Sequence, residues 1–199
     1  SQLSKSEARE RLQLPVRAKV LVTIGRLVEQ KGHTILLQAL QQLRQQGGEE
    51  IYAVLVGDGP WRQRLQGQAQ ALGLEQNIRF LGTRTDIGDI LRAADLYVMP
   101  SLWEGLGLAL LEGMAAGLPV LASRVGGMVE VLCEGQYGYL VPANDVNALA
   151  GQLAELLAPG VDLGPMASAA QRRVADFSAS KMVTAIGNVY AATFASRSR

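Results

Sequence analysis

The chain has 199 residues, enough for one large domain, and at 48% hydrophobic it carries ample material for a core. A net charge of +1 and an aromatic content of 5% provide neither a basic field nor stacking platforms, which argues against nucleic acid as the partner. Cys133 is the single cysteine and His33 the single histidine, so no internal disulfide, no metal-spaced cluster and no cofactor motif is expected, and a reducing compartment is favoured.

Ser4 and Glu7 have capping-box spacing for a short helix through about Leu12, ended by Pro15. This polar start has no signal-peptide pattern. KVLVTIG (19–25) is a continuous β-branched run stopping at Gly25, the pattern of a fully buried strand. From His33 to Gln46 the positions Ile35, Leu36, Ala39, Leu40 and Leu43 follow helical spacing, with His33 read as a surface residue at the helix start. IYAVLVG (51–57) is a second buried strand, and Pro60 suits the first turn of the helix after it. GDGP at that turn lacks the lysine and serine of a P-loop, which leaves Asp58 to local backbone.

NIRFLG (77–82) reads as a third strand, 86–94 as a short helix and ADLYVMPS as a fourth strand. A helix beginning near Leu108 and the strand LPVLAS follow. YGYLVP (137–142) makes a sixth strand. Asn144 is a candidate cap for the helices that run to the end, with breaks near 159–165 and 177–178. Cys133, in VEVLCEG, is read as a small buried residue. Six apolar strands alternating with helices, without hairpin signals, specify an α/β fold, a doubly wound parallel six-stranded Rossmann-like sheet with helices on both faces. One domain over 1–199 is expected, with a core over 17–158 and carboxy-terminal helices over 160–199.

The run from Pro100 to Gly127 holds two glutamates, Glu104 and Glu112, among apolar and small residues. Glycines and Pro119 argue against a membrane span. Leu108, Glu112 and Ala116 share a helix face without a basic partner one turn away, so Glu112, costly to leave unpaired against a packed interior, is expected to be met by water, by a partner elsewhere or by a ligand. Arg26 and Lys31 flank the turn after the first strand, where two cations oppose the following helix dipole unless an anion joins them. Gly82, Thr83 and Arg84 follow the third strand, and the amides of Gly105, Leu106, Gly107 and Leu108 open a helix. A Gly-x-Gly here invites a dinucleotide reading, but the third glycine and the distal ribose acid are missing. Cations, a helix start and two carboxylates for hydroxyls together describe a nucleotide diphosphate sugar.

These pieces resemble the carboxy-terminal, donor-binding domain of the retaining glycosyltransferases of the GT-B fold, the large family four (group 1). GRLVEQKG, VLVGDGP, IRFLG, AADLYVMPS, EGLGLALLEGMAAGLPVLAS, VGGMVEVL and YGYLVP recur in family order over most of 17–158. Leu106 stands where the family often has Phe, and Met128-Val129 where Ile-Pro is common.

The resemblance implies that Arg26 and Lys31 hold the donor diphosphate and steady the leaving group, and that Glu104 contacts the transferred sugar. Gly25 and the amides from Gly105 to Leu108 would border sugar and phosphate. Glu112 would hold the ribose, and the backbone near Thr83 and Arg84 would frame the base. It further implies retaining hexosyl transfer without a metal or other cofactor, and a preceding domain outside this chain that holds the acceptor. The isolated domain would be inactive, and its last helices would lack a partner. A cytoplasmic setting is implied, peripheral to the inner membrane face for relatives with lipid-linked or polysaccharide acceptors. The alternatives are an epimerase or phosphorylase of the same architecture and a non-catalytic interaction domain.

Overall fold

Side chains alternate along the strands between two apolar clusters, one on each face of the sheet. The computed structural model describes residues 3–47 and 50–197. Its strands are β1 (Lys19–Ile24), β2 (Ile51–Val56), β3 (Ile78–Gly82), β4 (Leu96–Met99), β5 (Val120–Ser123) and β6 (Tyr139–Val141). They form one parallel sheet in the order β3-β2-β1-β4-β5-β6. In β1 Val20 and Val22 join one cluster while Leu21 joins the other, and in β4 Tyr97 and Met99 oppose Leu96 and Val98. Strands buried on both faces need continuous apolar runs, and these runs are what made the strands visible in the sequence.

The helices are α1 (Lys5–Arg11), α2 (His33–Gln45), α3 (Arg62–Ala71), α4 (Ile87–Ala93), α5 (Leu108–Ala115), α6 (Gly126–Val131), α7 (Val146–Leu157), α8 (Gly164–Arg173) and α9 (Ala179–Arg197). Leu36 and Leu40 of α2, Leu65 of α3 and Leu153 of α7 cover one face. Ala8 of α1, Ile90 of α4, Leu110 of α5, Met128 of α6 and Ala170 of α8 cover the other. The capping box forms, with the Glu7 amide donating to Ser4 Oγ at 3.3 Å and the Ser4 amide to Glu7 Oε2 at 2.7 Å. Buried Arg9 then fastens α1 to the sheet, donating to Ala93 O at 2.9 Å and to Asp95 Oδ2 at 2.7 Å. The same carboxylate accepts from the Val20 amide at 2.7 Å.

Several sequence expectations change. Pro60 lies in the turn before α3 rather than in its first turn. The cap of α7 is Asp145, whose side chain accepts from the Ala148 amide at 2.9 Å, while Asn144 adopts a left-handed φ of 57°. Cys133 is exposed, in a tight turn with φ 48°, and not the small buried residue expected. VGGMVEVL, read only as a motif, contains the short helix α6. The breaks after α7 and before α9 fall where Pro159, Pro165 and Ser178 suggested.

Candidate functional site

Strand order reverses between β1 and β4, so the carboxyl ends of these two strands border the crevice in which open α/β sheets bind ligands. The chain leaves β1 through Gly25 and Arg26, buries Leu27, makes a single 3-10 turn over Glu29–Lys31 and enters α2 after Gly32. It leaves β4 through Pro100 and Ser101 and reaches α5 through Glu104–Gly107. The two segments are stitched together. The Leu102 amide donates to Gln30 O at 2.7 Å, and Gln30 Nε2 donates to Trp103 O at 3.0 Å.

That stitching brings Lys31 to Glu104. Their ammonium and carboxylate form an ion pair, with side-chain exposures of 18% and 7%. Ser101, fully buried, donates from Oγ to the same carboxylate oxygen at 3.0 Å. Breaking a sheltered pair like this one leaves a charge without water or a partner, which is why it persists only with additional hydrogen bonds. Gly25 makes room for the lysine stem, since a Cβ there would lie 3.2 Å from Lys31 Cε.

The loop carrying Glu104 is clamped from the far side by α6. A Cβ on Gly126 or Gly127 would overlap the carbonyl oxygens of Glu104 or Gly105, and the Gly127 amide donates to Gly105 O at 2.8 Å. Met128 is buried directly against Gly107, where a Cβ would overlap the Met128 Cε. Gly107, at φ 71°, leads into α5, whose first turn has no side-chain cap. Its amide groups are thus available to an anion at the helix start.

Arg26 is exposed and forms no ion pair or hydrogen bond through its side chain among the described residues. Glu112 lies with Leu108, Ala115 and Ala116 on an exposed face of α5, open to solvent, the first of the alternatives left to it by the sequence. Thr83 and Arg84, both exposed, follow β3 on the same carboxyl rim but touch neither Lys31 nor Glu104 among the described residues. Arg84 instead grips Asp86 through Nε at 2.7 Å and Nη2 at 2.5 Å. These hydrogen bonds hold the Asp86 carboxyl below the usual carboxylate range. Asp58 accepts from the Gly59 amide at 2.7 Å, the local backbone role expected of it.

Two buried polar groups sit behind the rim. His33, read as a surface residue, begins α2 as expected but is 2% exposed, and its Nδ1 has no partner. Burial, aided by the Lys31 charge, pushes its pKa down to about 4, so it is neutral at ordinary pH. Tyr97 in β4 is completely buried with its ring against Gly113. Its hydroxyl lies by the Ile24 backbone without completing a hydrogen bond. Burial foremost, then the charges of Glu112 and Glu104, keep the phenol protonated. Tyr97→Phe is expected to raise unfolding free energy by about 1 kcal/mol in urea titration, because an unsatisfied buried hydroxyl is removed without a cavity. A loss of similar size would show that the hydroxyl has a partner. Ser101 and Gln30 escaped the sequence reading: a serine three residues before a glutamate is no signal of a contact, and a glutamine does not signal one 73 positions away.

Comparison with known proteins fits this geometry. The family model for glycosyl transferases group 1 matches residues 4–173. D-inositol 3-phosphate glycosyltransferase of Corynebacterium urealyticum is 36% identical over 179 residues, which cover 86% of this chain and 42% of that protein. Sucrose-phosphate synthase from Thermosynechococcus elongatus superposes with a TM-score of 0.82 at 30% identity, covering 98% of this chain and 50% of that one. Anabaena HepE, solved in complex with UDP-glucose, gives a TM-score of 0.79 at 31% identity, covering 96% and 52%. This chain therefore spans about half the length of the relatives it matches. With its six-stranded Rossmann-like sheet of the GT-B carboxy-terminal half, the chain belongs to the group 1 glycosyl transferase family.

Proposed function

We propose that this chain binds a nucleotide diphosphate sugar as the donor domain of a retaining hexosyltransferase. The observation that carries the reading is the Lys31–Glu104 pair held at the strand-order reversal beside the uncapped start of α5. In this reading Arg26 and Lys31 take the diphosphate and stabilise the charge that builds on it as the glycosidic bond to the sugar breaks. Glu104 accepts from hydroxyls of the transferred sugar. The amides of Gly105–Leu108 border sugar and phosphate, with Gly25 opposite. Glu112, exposed on the second turn of α5, accepts from the ribose hydroxyls, and backbone at Thr83 and Arg84 frames the base. HepE, a relative solved with UDP-glucose, supports this donor class. Because two side-chain cations carry the leaving-group charge, the proposal has no metal or cofactor step, and among the described residues no His, Cys, Asp and Glu cluster could hold a metal ion.

The acceptor is assigned to a preceding domain of a longer enzyme, so the chain by itself is proposed to bind donor without transferring sugar. Support comes from the relatives' lengths and from exposed apolar residues near the site, Trp103, Leu106 and Leu108. Met182, Val183, Ile186, Val189 and Tyr190 add an exposed apolar stripe on α9 suited to such a domain. No helix among the described residues is long and apolar enough to cross a membrane. We place the enzyme in the cytoplasm, peripheral to the inner membrane face where its acceptor is lipid-linked.

Calorimetric titration with uridine, guanosine and adenosine diphosphates tests the reading. One of them is expected to bind, and Glu112→Ala is expected to weaken it about tenfold by removing charge-assisted bonds to the ribose. If none binds, or Glu112→Ala changes nothing, the site assignment fails.

A further inference from the structure

The two side chains assigned to different parts of the donor are bonded to each other. Lys31 is assigned to the diphosphate and Glu104 to the sugar, yet the ammonium rests on the carboxylate, which Ser101 holds from behind. A diphosphate must therefore take Lys31 away from Glu104. What replaces the lysine at Glu104 depends on the ligand. An intact nucleotide sugar brings hydroxyl donors to the vacated carboxylate, so the exchange conserves hydrogen bonds. A bare nucleoside diphosphate brings none, and leaves a carboxylate that is 7% exposed with only the Ser101 hydroxyl.

We propose that the Lys31–Glu104 pair, positioned by Ser101, makes this site discriminate against the nucleoside diphosphate left after transfer and helps to expel it. Specificity here is a difference between two affinities, set by a contact that penalises the wrong ligand. After transfer the sugar departs, Glu104 loses its hydroxyl partners and reclaims Lys31, and the diphosphate loses a cation. Ser101 is a positioning residue, since its buried Oγ keeps the carboxylate facing the lysine. The inference rests on the nucleotide-sugar reading above.

The experiment is a double-mutant cycle read by calorimetry with whichever of uridine, guanosine and adenosine diphosphate binds the wild-type chain. Glu104→Gln is expected to bind that diphosphate about tenfold more tightly, because the amide competes poorly for the ammonium. In a Lys31→Ala background the same Glu104→Gln change is expected to have almost no effect. Equal tightening in both backgrounds would mean general charge repulsion instead of competition for Lys31, and would overturn the inference. So would unchanged affinity in Glu104→Gln. Ser101→Ala leaves both charges in place but strips the displaced carboxylate of its last hydrogen bond, and is expected to weaken diphosphate binding about threefold. It keeps the test decisive if Glu104→Gln does not fold, since unchanged affinity in folded Ser101→Ala overturns the proposal. A wild-type chain that binds neither the three diphosphates nor the corresponding nucleotide sugars defeats the nucleotide-sugar reading itself. Binding that the variants do not alter defeats this inference alone.

Discussion

Gly32→Ala is expected to destabilise the protein by roughly 3 kcal/mol or more and to disable the site with it. Gly32 is buried, holds φ at 62° between Lys31 and α2, and faces Pro100 so closely that a Cβ would overlap the Pro100 carbonyl oxygen. The left-handed backbone alone costs an alanine about 1–2 kcal/mol. The overlap is with main chain rather than a flexible side chain, so the segment after β4 has to move. That segment carries Ser101 and Glu104, and the residue next to Gly32 is Lys31. Urea unfolding should show the stability loss, and calorimetry a parallel loss of nucleotide affinity. Gly47→Ala is the control. Its φ of 74° is similar, but a Cβ there meets nothing within 4 Å, so only about 1 kcal/mol should be lost. Equal effects of the two changes would show that the approach of β1 and β4 segments is unimportant.

The second large effect is a pH dependence carried by His33. Its folded pKa of about 4 lies below its ordinary 6.5 because burial, and then the Lys31 charge, disfavour the imidazolium. Between those values the unfolded chain binds the proton and the folded chain does not. Stability from this residue is therefore complete above about pH 6.5 and is lost progressively as pH falls to about 4, by roughly 3 kcal/mol in total. His33→Leu removes the titration. Urea midpoints measured from pH 7.5 to 4 should fall less steeply in the variant than in wild type. It is the difference in slope that tests the assignment, since the substitution shifts absolute stability for other reasons. Parallel slopes would mean that His33 titrates alike in folded and unfolded chains.

How much could be read beforehand follows from the range over which each signal acts. β1 and β2 announced themselves because fully buried parallel strands need unbroken apolar runs, and the Ser4–Glu7 box because its two partners are three residues apart. Local patterns fail where the outcome depends on what lies across the fold. Glu112 sits among apolar neighbours in sequence, yet its helix face lies at the open rim, and periodicity cannot say whether a face is covered. His33 errs in the opposite sense, a polar residue at a helix start that the fold buries. Asp145 displaced Asn144 as a cap because the left-handed turn at Asn144 moves the helix start by one position. At the site, the family motifs marked Lys31 and Glu104 separately. Their mutual bond depends on a junction of two strands that no window of sequence contains.

That junction also governs when the site comes into being. Lys31 and Glu104 are separated by 73 positions, and α2, β2, α3, β3, α4 and β4 lie between them. Closing so long a loop carries an entropy penalty that only the β1–β4 pairing and the docking of α5 offset. On a ribosome, the first three strands leave the tunnel and can pair while Glu104 is still enclosed, so the early sheet presents an unmated lysine and an open β1 edge. The Lys31–Glu104 site is thus a late product of folding, assembled at the seam where the two halves of the sheet meet. A ligand that binds there reports on completion of the whole sheet rather than on either half.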